Sequence, residues 1–285
     1  MINLINVSYK YPNSETLAVE NLSFNIIKGE IFGFLGPSGA GKSTTQKILM
    51  GLNKEYTGEI TVADYNLNDI SDDYYEIIGV SFELPNHFLK LTGLENLQYF
   101  NSLYANTKSK EEIIKLFELV GLENAIHTKV SEYSKGMKSR LNVIRSILHN
   151  PSILFLDEPT TGLDPVNAKK IKDLILSLKN EGKTIFLATH DMVVAEEVCD
   201  RIAIIVDGKI NIIDTPKNLK LAHGEKSVIV EYGNGKLKTE KFNLSKLGEN
   251  TKFLDLIKNN EIKTIHSQEA NLSKVFINIT GRKLI

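Results

Sequence analysis

Hydrophobic and polar positions alternate over residues 2–7 and again over 22–26, and each run ends near a turn residue, Pro12 or Gly29. Alternation with a period of two predicts strands with one buried and one wet face, as in an antiparallel or edge sheet. Glu30-Ile31-Phe32-Gly33-Phe34-Leu35 breaks that pattern. It is a short apolar run into Gly36, and helical character follows over 42–51. Two similar runs, 153–156 and 184–188, suit parallel strands covered on both faces. Helices expected over 166–179 and 192–199 interleave with them and give the alternation of an α/β sheet.

Between Pro85 and Pro151 the strand signal disappears, and three helical patterns fill the gap, near 92–104, 110–120 and 135–149. An insertion of that kind between two strands of one sheet predicts a helical subdomain over about 85–150. After Pro216 the character changes again. Residues 227–232 and 236–242 predict a hairpin around Gly233-Asn234-Gly235, followed by a helix near 252–259, a strand near 262–266 and a last helix near 271–279. The expected organisation is therefore a main domain over 1–220 and a small α+β domain over 221–285.

Composition narrows the class of molecule. Of 285 residues 42% are hydrophobic and 24% charged, ordinary globular usage that excludes a disordered or fibrous chain. The net charge of -1 argues against a general nucleic-acid coat, although the tail is mildly basic, with 11 Lys/Arg against 7 Asp/Glu from residue 221 onward. No apolar run reaches the ~18–20 residues of a membrane span, and Met1-Ile2-Asn3-Leu4-Ile5-Asn6 lacks the basic start of a secretion signal. Cys199 is the only cysteine, so no internal disulfide or cysteine-based zinc site can form. The expectation is a soluble chain of a reducing compartment.

The chemistry lies in the loops after the apolar strands. Gly36, Pro37, Ser38, Gly39, Ala40, Gly41, Lys42, Ser43 and Thr44 fit the phosphate-loop pattern G-x-x-x-x-G-K-[ST]. Glycines let successive backbone N–H groups curl around a phosphate, and the helix that follows adds its positive dipole end. Lys42 can reach the β and γ phosphates of a bound nucleotide, and the Ser43 hydroxyl can ligate Mg²⁺. Ile153-Leu154-Phe155-Leu156-Asp157-Glu158 puts two carboxylates at the carboxyl end of a buried strand, where ligands sit in a parallel sheet. Asp157 is placed to hold Mg²⁺ through its water shell, and Glu158 to orient or deprotonate a water aimed at the γ-phosphate. His190 ends the last apolar strand, where an imidazole can hydrogen-bond that phosphate. The other five histidines and Cys199 read as ordinary structural residues.

The remaining motifs choose among phosphate-loop proteins. A guanine-specific Asn-Lys-x-Asp is missing, since Asn53-Lys54-Glu55-Tyr56 lacks the Asp, and no long heptad arms flank the core. Tyr133-Ser134-Lys135-Gly136-Met137 opens the helix ahead of Asp157, and Thr161-Gly162-Leu163-Asp164-Pro165 follows it. In this order the motifs, with His190, resemble those of the ATP-binding-cassette (ABC) ATPases over about residues 1–215. The resemblance implies a RecA-like phosphate-loop core with an N-terminal antiparallel β-subdomain and the inserted helices. It also implies head-to-tail dimers with ATP in the seam. Ser134 and Gly136 would then cap the γ-phosphate bound by a partner's loop, Asp164 would communicate between sites, and Tyr11, with Tyr9 as its rival, would stack on adenine.

Two positions depart from the family pattern. Glu83 stands where a glutamine is usual, at a position that touches Mg²⁺ or the attacking water; its extra negative charge beside Glu158 predicts a retained but retuned site. Lys135 and Met137 replace the commoner Gly and Gln. The resemblance further implies an ATP-hydrolysing subunit that docks on separate membrane subunits at the inner face of the cell membrane. A groove near Phe82–Leu94, with Leu84, Phe88 and Leu89 as apolar contacts or core, would take a partner helix. Residues 269–282 resemble the end of drug, antibiotic and lipid exporter subunits, so export is the expected direction, with no nucleic-acid partner. The alternative reading is a soluble cassette ATPase that regulates or remodels a nucleic acid or protein.

Overall fold

The computed structural model describes all residues except 85, 224–226, 234–235, 269–270 and 282–285, and the chain divides into a unit Met1–Thr215 and a second beginning at Pro216. In the first, the alternating N-terminal segments form β1 (Ile2–Tyr9) and β2 (Val19–Ile26) of an antiparallel sheet completed by β4 (Tyr56–Val62) and β5 (Tyr65–Asn66). Ile2, Leu4 and Val7 of β1 and Val19, Leu22, Phe24 and Ile26 of β2 are buried. They share one apolar cluster with Phe32, Phe34, Phe155 and Phe186 of the second sheet, where Phe24 stacks on Phe32 with ring centroids 5.3 Å apart.

The second sheet has six strands in the order β10-β9-β3-β8-β7-β6. At its centre lie β3 (Ile31–Leu35), β8 (Thr184–Thr189) and β7 (Ile153–Asp157), mutually parallel and buried at every position. Their continuous apolar runs are what a strand covered on both faces requires. β6 (Ile78–Ser81) extends one edge in parallel, while β9 (Arg201–Val206) and β10 (Lys209–Asp214) form a hairpin at the other. Helices α1 (Lys42–Leu49), α6 (Pro165–Asn180) and α7 (Met192–Val198) connect the strands.

Between β6 and β7 run the inserted helices α3 (Gly93–Asn101), α4 (Lys110–Leu119) and α5 (Lys135–Ser146), with a short α2 (Asp73–Ile77) ahead of β6. Capping boxes explain two starts: Thr92 with Glu95 opens α3, and Ser109 with Glu112 opens α4. Pro85, the expected start of the insertion, lies outside the described residues.

In the second unit, β12 (Lys238–Asn243), β11 (Ser227–Tyr232) and β13 (Ile262–Gln268) form an antiparallel sheet in that order. α9 (Thr251–Asn259) covers it, burying Phe253 and Leu256 against Val228, Val230, Tyr232 and Phe242. The unit starts at α8 (Pro216–His223), earlier than the boundary expected after 220, because α8 packs beside α10 (Leu272–Thr280), where Asn278 donates to the His223 carbonyl at 2.9 Å. Asn234 and Gly235 of the expected turn, and Glu269, Ala270 and Arg282 of the exporter-like segment, lie outside the described residues. Among the described residues no helix is long and apolar enough to cross a membrane.

Candidate functional site

Because β3, β8 and β7 are adjacent and parallel, their carboxyl ends bring three separate stretches of sequence to one edge. Leu35 pairs with Thr189 and Asp157 with Ala188, so the loop after β3, the two carboxylates and His190 converge there. The loop needs its glycines for different reasons. A Cβ on Gly36 would lie 2.3 Å from the Ile205 carbonyl oxygen, and Gly41, the residue before α1, has φ 103°. Lys42 is buried, and its ammonium donates to the carbonyls of Gly36 at 2.7 Å and Pro37 at 3.1 Å, 3.9 Å from Glu158. Burial pulls its pKa down, opposed by the charges of Glu158, Asp157 and Glu83.

Asp157 is held the other way. Burial raises its pKa to about 6, against the lowering effect of a hydrogen bond from Ser43, while Glu158 and Glu83 raise it further. Its Oδ1 is buried with no hydrogen-bond partner. An orphaned carboxylate oxygen beside a hydroxyl and a second carboxylate is a hard-oxygen donor set that fits Mg²⁺.

Glu158 has φ 49°, a left-handed conformation uncommon for a residue with a Cβ. Its carboxylate is fully engaged. Oε1 accepts from the His190 backbone N–H at 2.9 Å and from His190 Nδ1 at 2.7 Å, and Oε2 accepts from the Thr161 and Thr189 hydroxyls, each at 3.0 Å. Thr161 and Thr189 carry no role that the sequence alone predicts. Nothing in the local sequence distinguishes these threonines from ordinary strand and turn residues.

The two tyrosines separate cleanly. Tyr9 is 8% exposed and belongs to the apolar core, whereas Tyr11 is 37% exposed and its hydroxyl lies 3.2 Å from Thr44 Oγ1 of the loop. Tyr11 is thus the ring available to a base beside the loop, edge-on to Tyr9 with centroids 5.0 Å apart.

Ser134 is the N-cap of α5, its hydroxyl accepting from the Met137 N–H at 3.2 Å. Gly136 is packed closely: a Cβ there would come 3.2 Å from Leu163. The stem of Lys135 lies along Gly162, and Asp164 caps α6 by accepting from Val166 and Asn167. Among the described residues no hydrogen bond joins Ser134 or Gly136 to the chain's own loop, 36–44.

A groove of about 460 Å³ lies between β6 and the inserted helices, lined by Tyr75, Phe82, Phe88, Phe100, Tyr104 and Arg145 among others. Leu84 is 77% exposed, and Phe88 and Leu89 are exposed too, so all three are surface and not core. Asn142 of α5 braces the adjoining segment, donating to Ser81 Oγ at 3.0 Å and the Phe82 carbonyl at 2.8 Å, which ties the backbone beside Glu83 to the helix that Ser134 opens. Two histidines taken as ordinary are buried: His87 pairs with the Lys138 carbonyl and His149 with that of Ile78. Burial pushes His87 down to about 4.

A phosphate loop, an apolar strand ending in two carboxylates and a histidine beside them define a nucleotide triphosphatase of the phosphate-loop class. The sequence model described as "ABC transporter" matches residues 19–161, and that of the "Fluoroquinolone efflux ABC transporter C-terminal domain" matches 226–269. A "Fluoroquinolones export ATP-binding protein" of Mycobacterium tuberculosis is 50% identical over 286 residues, covering 100% of this chain and 94% of its own. A "Linearmycin resistance ATP-binding protein" of Bacillus subtilis is 32% identical, covering 93% and 94%. A solved dimeric ATP-binding cassette in a post-hydrolysis state, bound to ADP and Pi, superposes with a TM-score of 0.68 at 32% identity, covering 75% of this chain and 98% of that one.

The chain belongs to the ABC transporter family. It is an ATP-binding, ATP-hydrolysing subunit of the export type, as the motif order and the expected direction of transport implied.

Proposed function

We propose that two copies of this chain, or this chain and a related cassette, close head to tail around two ATP molecules and drive fluoroquinolone export through separate membrane subunits. The convergence of Lys42, Asp157, Glu158 and His190 on one sheet edge, with Ser134 and Gly136 unattached to that edge, carries the reading. In this account residues 36–44 cradle the phosphates by backbone N–H groups and the α1 dipole, Lys42 turns from its own loop carbonyls to the β and γ phosphates, and Tyr11 stacks on adenine. Glu158 accepts the proton of the attacking water in place of one of its present hydrogen bonds, and His190 holds that carboxylate through its backbone N–H and Nδ1. Ser134 and the Gly136 N–H, at a helix N-terminus, cap the γ-phosphate of the opposite copy.

Ser43, Asp157 and Glu83 are the residues that would hold Mg²⁺, which when bound neutralises charge on the β and γ phosphates. The partner surface is the groove beside Phe82, Leu84, Phe88 and Leu89, and docking there places the subunit at the cytoplasmic face of the cell membrane. Fluoroquinolones are proposed as cargo from the full-length similarity to the mycobacterial export protein and the match of the C-terminal domain.

The test is efflux from cells that express the chain with its membrane subunits. Lys42→Ala or Asp157→Asn abolishes drug efflux while the complex still assembles; full efflux by either variant contradicts the mechanism. Glu83→Gln shifts the Mg²⁺ concentration for half-maximal ATP turnover, and an unchanged Mg²⁺ dependence removes Glu83 from the donor set.

A further inference from the structure

Away from the phosphate loop, a cleft of about 420 Å³ opens between α4, the end of α5, β7 and α6. Its walls are Leu116 and Leu119 of α4, Ile147 after α5, Leu154 of β7, and Leu174 and Leu178 of α6. Its volume falls within the roughly 300–1,000 Å³ of small-molecule sites, and an apolar cleft with a few polar groups is their usual form. We propose that this cleft binds a small amphiphilic carboxylate, its apolar body against the leucines and its head group at Lys108 and Lys183.

Those two lysines are held in different ways. The backbone of Lys108 is clamped by the buried Asn101 side chain, which accepts from the Lys108 N–H and donates to its carbonyl, both at 2.9 Å. The Lys183 ammonium donates to Asn150, to its carbonyl at 3.1 Å and to its Oδ1 at 2.5 Å. Two of its three N–H groups are thereby used, and one remains for a ligand. Burial lowers the pKa of Lys183, and the nearby Lys108 adds a smaller push in the same direction. Asp173, Glu181 and Lys170 also line the cleft, but both acids are exposed. At Lys183 the attraction of Glu181 outweighs the repulsion from Lys108. Few donors, three lysines set against two exposed acids, and an apolar interior suit one two-oxygen head group better than a phosphate with three oxygens to satisfy.

The cleft also touches the elements that carry the chemistry: β7 ends in Asp157, α6 is capped by Asp164, and α5 opens at Ser134. A ligand wedged among them alters how the inserted helices sit on the sheet and so alters ATP turnover. This consequence rests on the function proposed above, while the binding itself does not.

The chain contains no tryptophan, so Leu119→Trp places a single fluorescent reporter at the cleft mouth. Decanoate, kept below its micelle-forming concentration, is titrated against this full-length variant without nucleotide, with decanol and decylamine as comparisons. The expected result is a saturable emission change with decanoate, at least tenfold weaker binding of decanol, and none of decylamine. Adding Lys108→Glu weakens decanoate at least tenfold while ATP binding is retained. No saturable response, equal binding of decanol, or indifference to Lys108→Glu overturns the site. Turnover by the wild-type chain then changes at least twofold with saturating decanoate; bound decanoate with unmoved turnover overturns the coupling. A protein that binds decanoate but hydrolyses no ATP contradicts the proposed function and leaves the cleft standing.

Discussion

The carboxylate of Glu158 and the ring of His190 are joined twice: Oε1 accepts from the backbone N–H at 2.9 Å and from Nδ1 at 2.7 Å. The pairing makes Nδ1 a donor to Glu158, on a side chain that is half exposed. A residue bonded in this way positions the base as much as it acts on the nucleotide. His190→Ala is therefore expected to lower ATP turnover about 10²-fold or more, the usual range for losing general-base function. ATP affinity changes far less. Equilibrium binding alongside single-turnover hydrolysis separates the two, and a large loss of affinity with turnover intact contradicts the pairing.

Tyr11 and Tyr9 are neighbours with opposite environments, so their substitutions differ in kind. Tyr11→Ala is expected to weaken ATP by about 1–2 kcal/mol, the scale of base–aromatic stacking, while leaving the melting temperature almost unchanged. Tyr11→Phe retains most of that affinity, because the ring and not its bond to Thr44 carries the contact. Tyr9→Ala removes a buried ring and lowers stability by about 3 kcal/mol or more. Calorimetric titration and thermal melts on the three variants check the set.

Asp157 makes the nucleotide-free protein sensitive to pH. Its folded pKa, about 6, lies above its ordinary value of 3.8, so the folded state holds a proton that the unfolded state has released. Stability from this group is fully present below pH 3.8 and declines as pH rises through about 6. At pH 7.5 the nucleotide-free Asp157→Asn protein is expected to be more stable than wild type by on the order of 2 kcal/mol. That advantage shrinks as pH falls toward 4. Urea unfolding across this range measures it, and an Asn variant less stable at pH 7.5 refutes it.

The exposed residues beside the groove give a coupling test. Leu84 is 77% exposed, so Leu84→Asp costs the isolated subunit within about 0.5 kcal/mol of stability. Its intrinsic ATP turnover also remains. Drug efflux in the presence of the membrane subunits is lost, because a charge now faces the helix expected in the groove. Efflux at the wild-type level with Leu84→Asp and Phe88→Asp combined argues that the partner docks elsewhere.

Much of this site was legible because its chemistry is local in sequence. The glycine-rich loop, Asp157-Glu158 and His190 each follow an uninterrupted apolar strand, and strand adjacency then does the assembling. The strands β9 and β10 were not anticipated, although Arg201-Ile202-Ala203-Ile204-Ile205-Val206 carries an apolar run. Nor was α8, whose place beside α10 depends on tertiary packing. Thr161 and Thr189 were hidden for a different reason: a hydroxyl that holds a carboxylate has no spacing rule, only a position in space. Tyr11 is preferred over Tyr9 already in the sequence, and burial separates the two further, since Tyr9 lies in the core and Tyr11 is exposed. The cleft beneath α4 was equally invisible, because Lys108, Asn150 and Lys183 meet only when the insertion folds onto the sheet.

In the proposed dimer one chain supplies half of each ATP site and a second cassette the other half. The direct measurement is the mass of purified Glu158→Gln protein by light scattering, with and without ATP and Mg²⁺, alongside a Glu158→Gln, Gly136→Asp double variant. The account predicts a shift from monomer to dimer on adding ATP and Mg²⁺, absent in the double variant, which still binds nucleotide. An ATP-loaded Glu158→Gln protein that stays monomeric even with its membrane subunits present, or a dimer indifferent to Gly136→Asp, would contradict it.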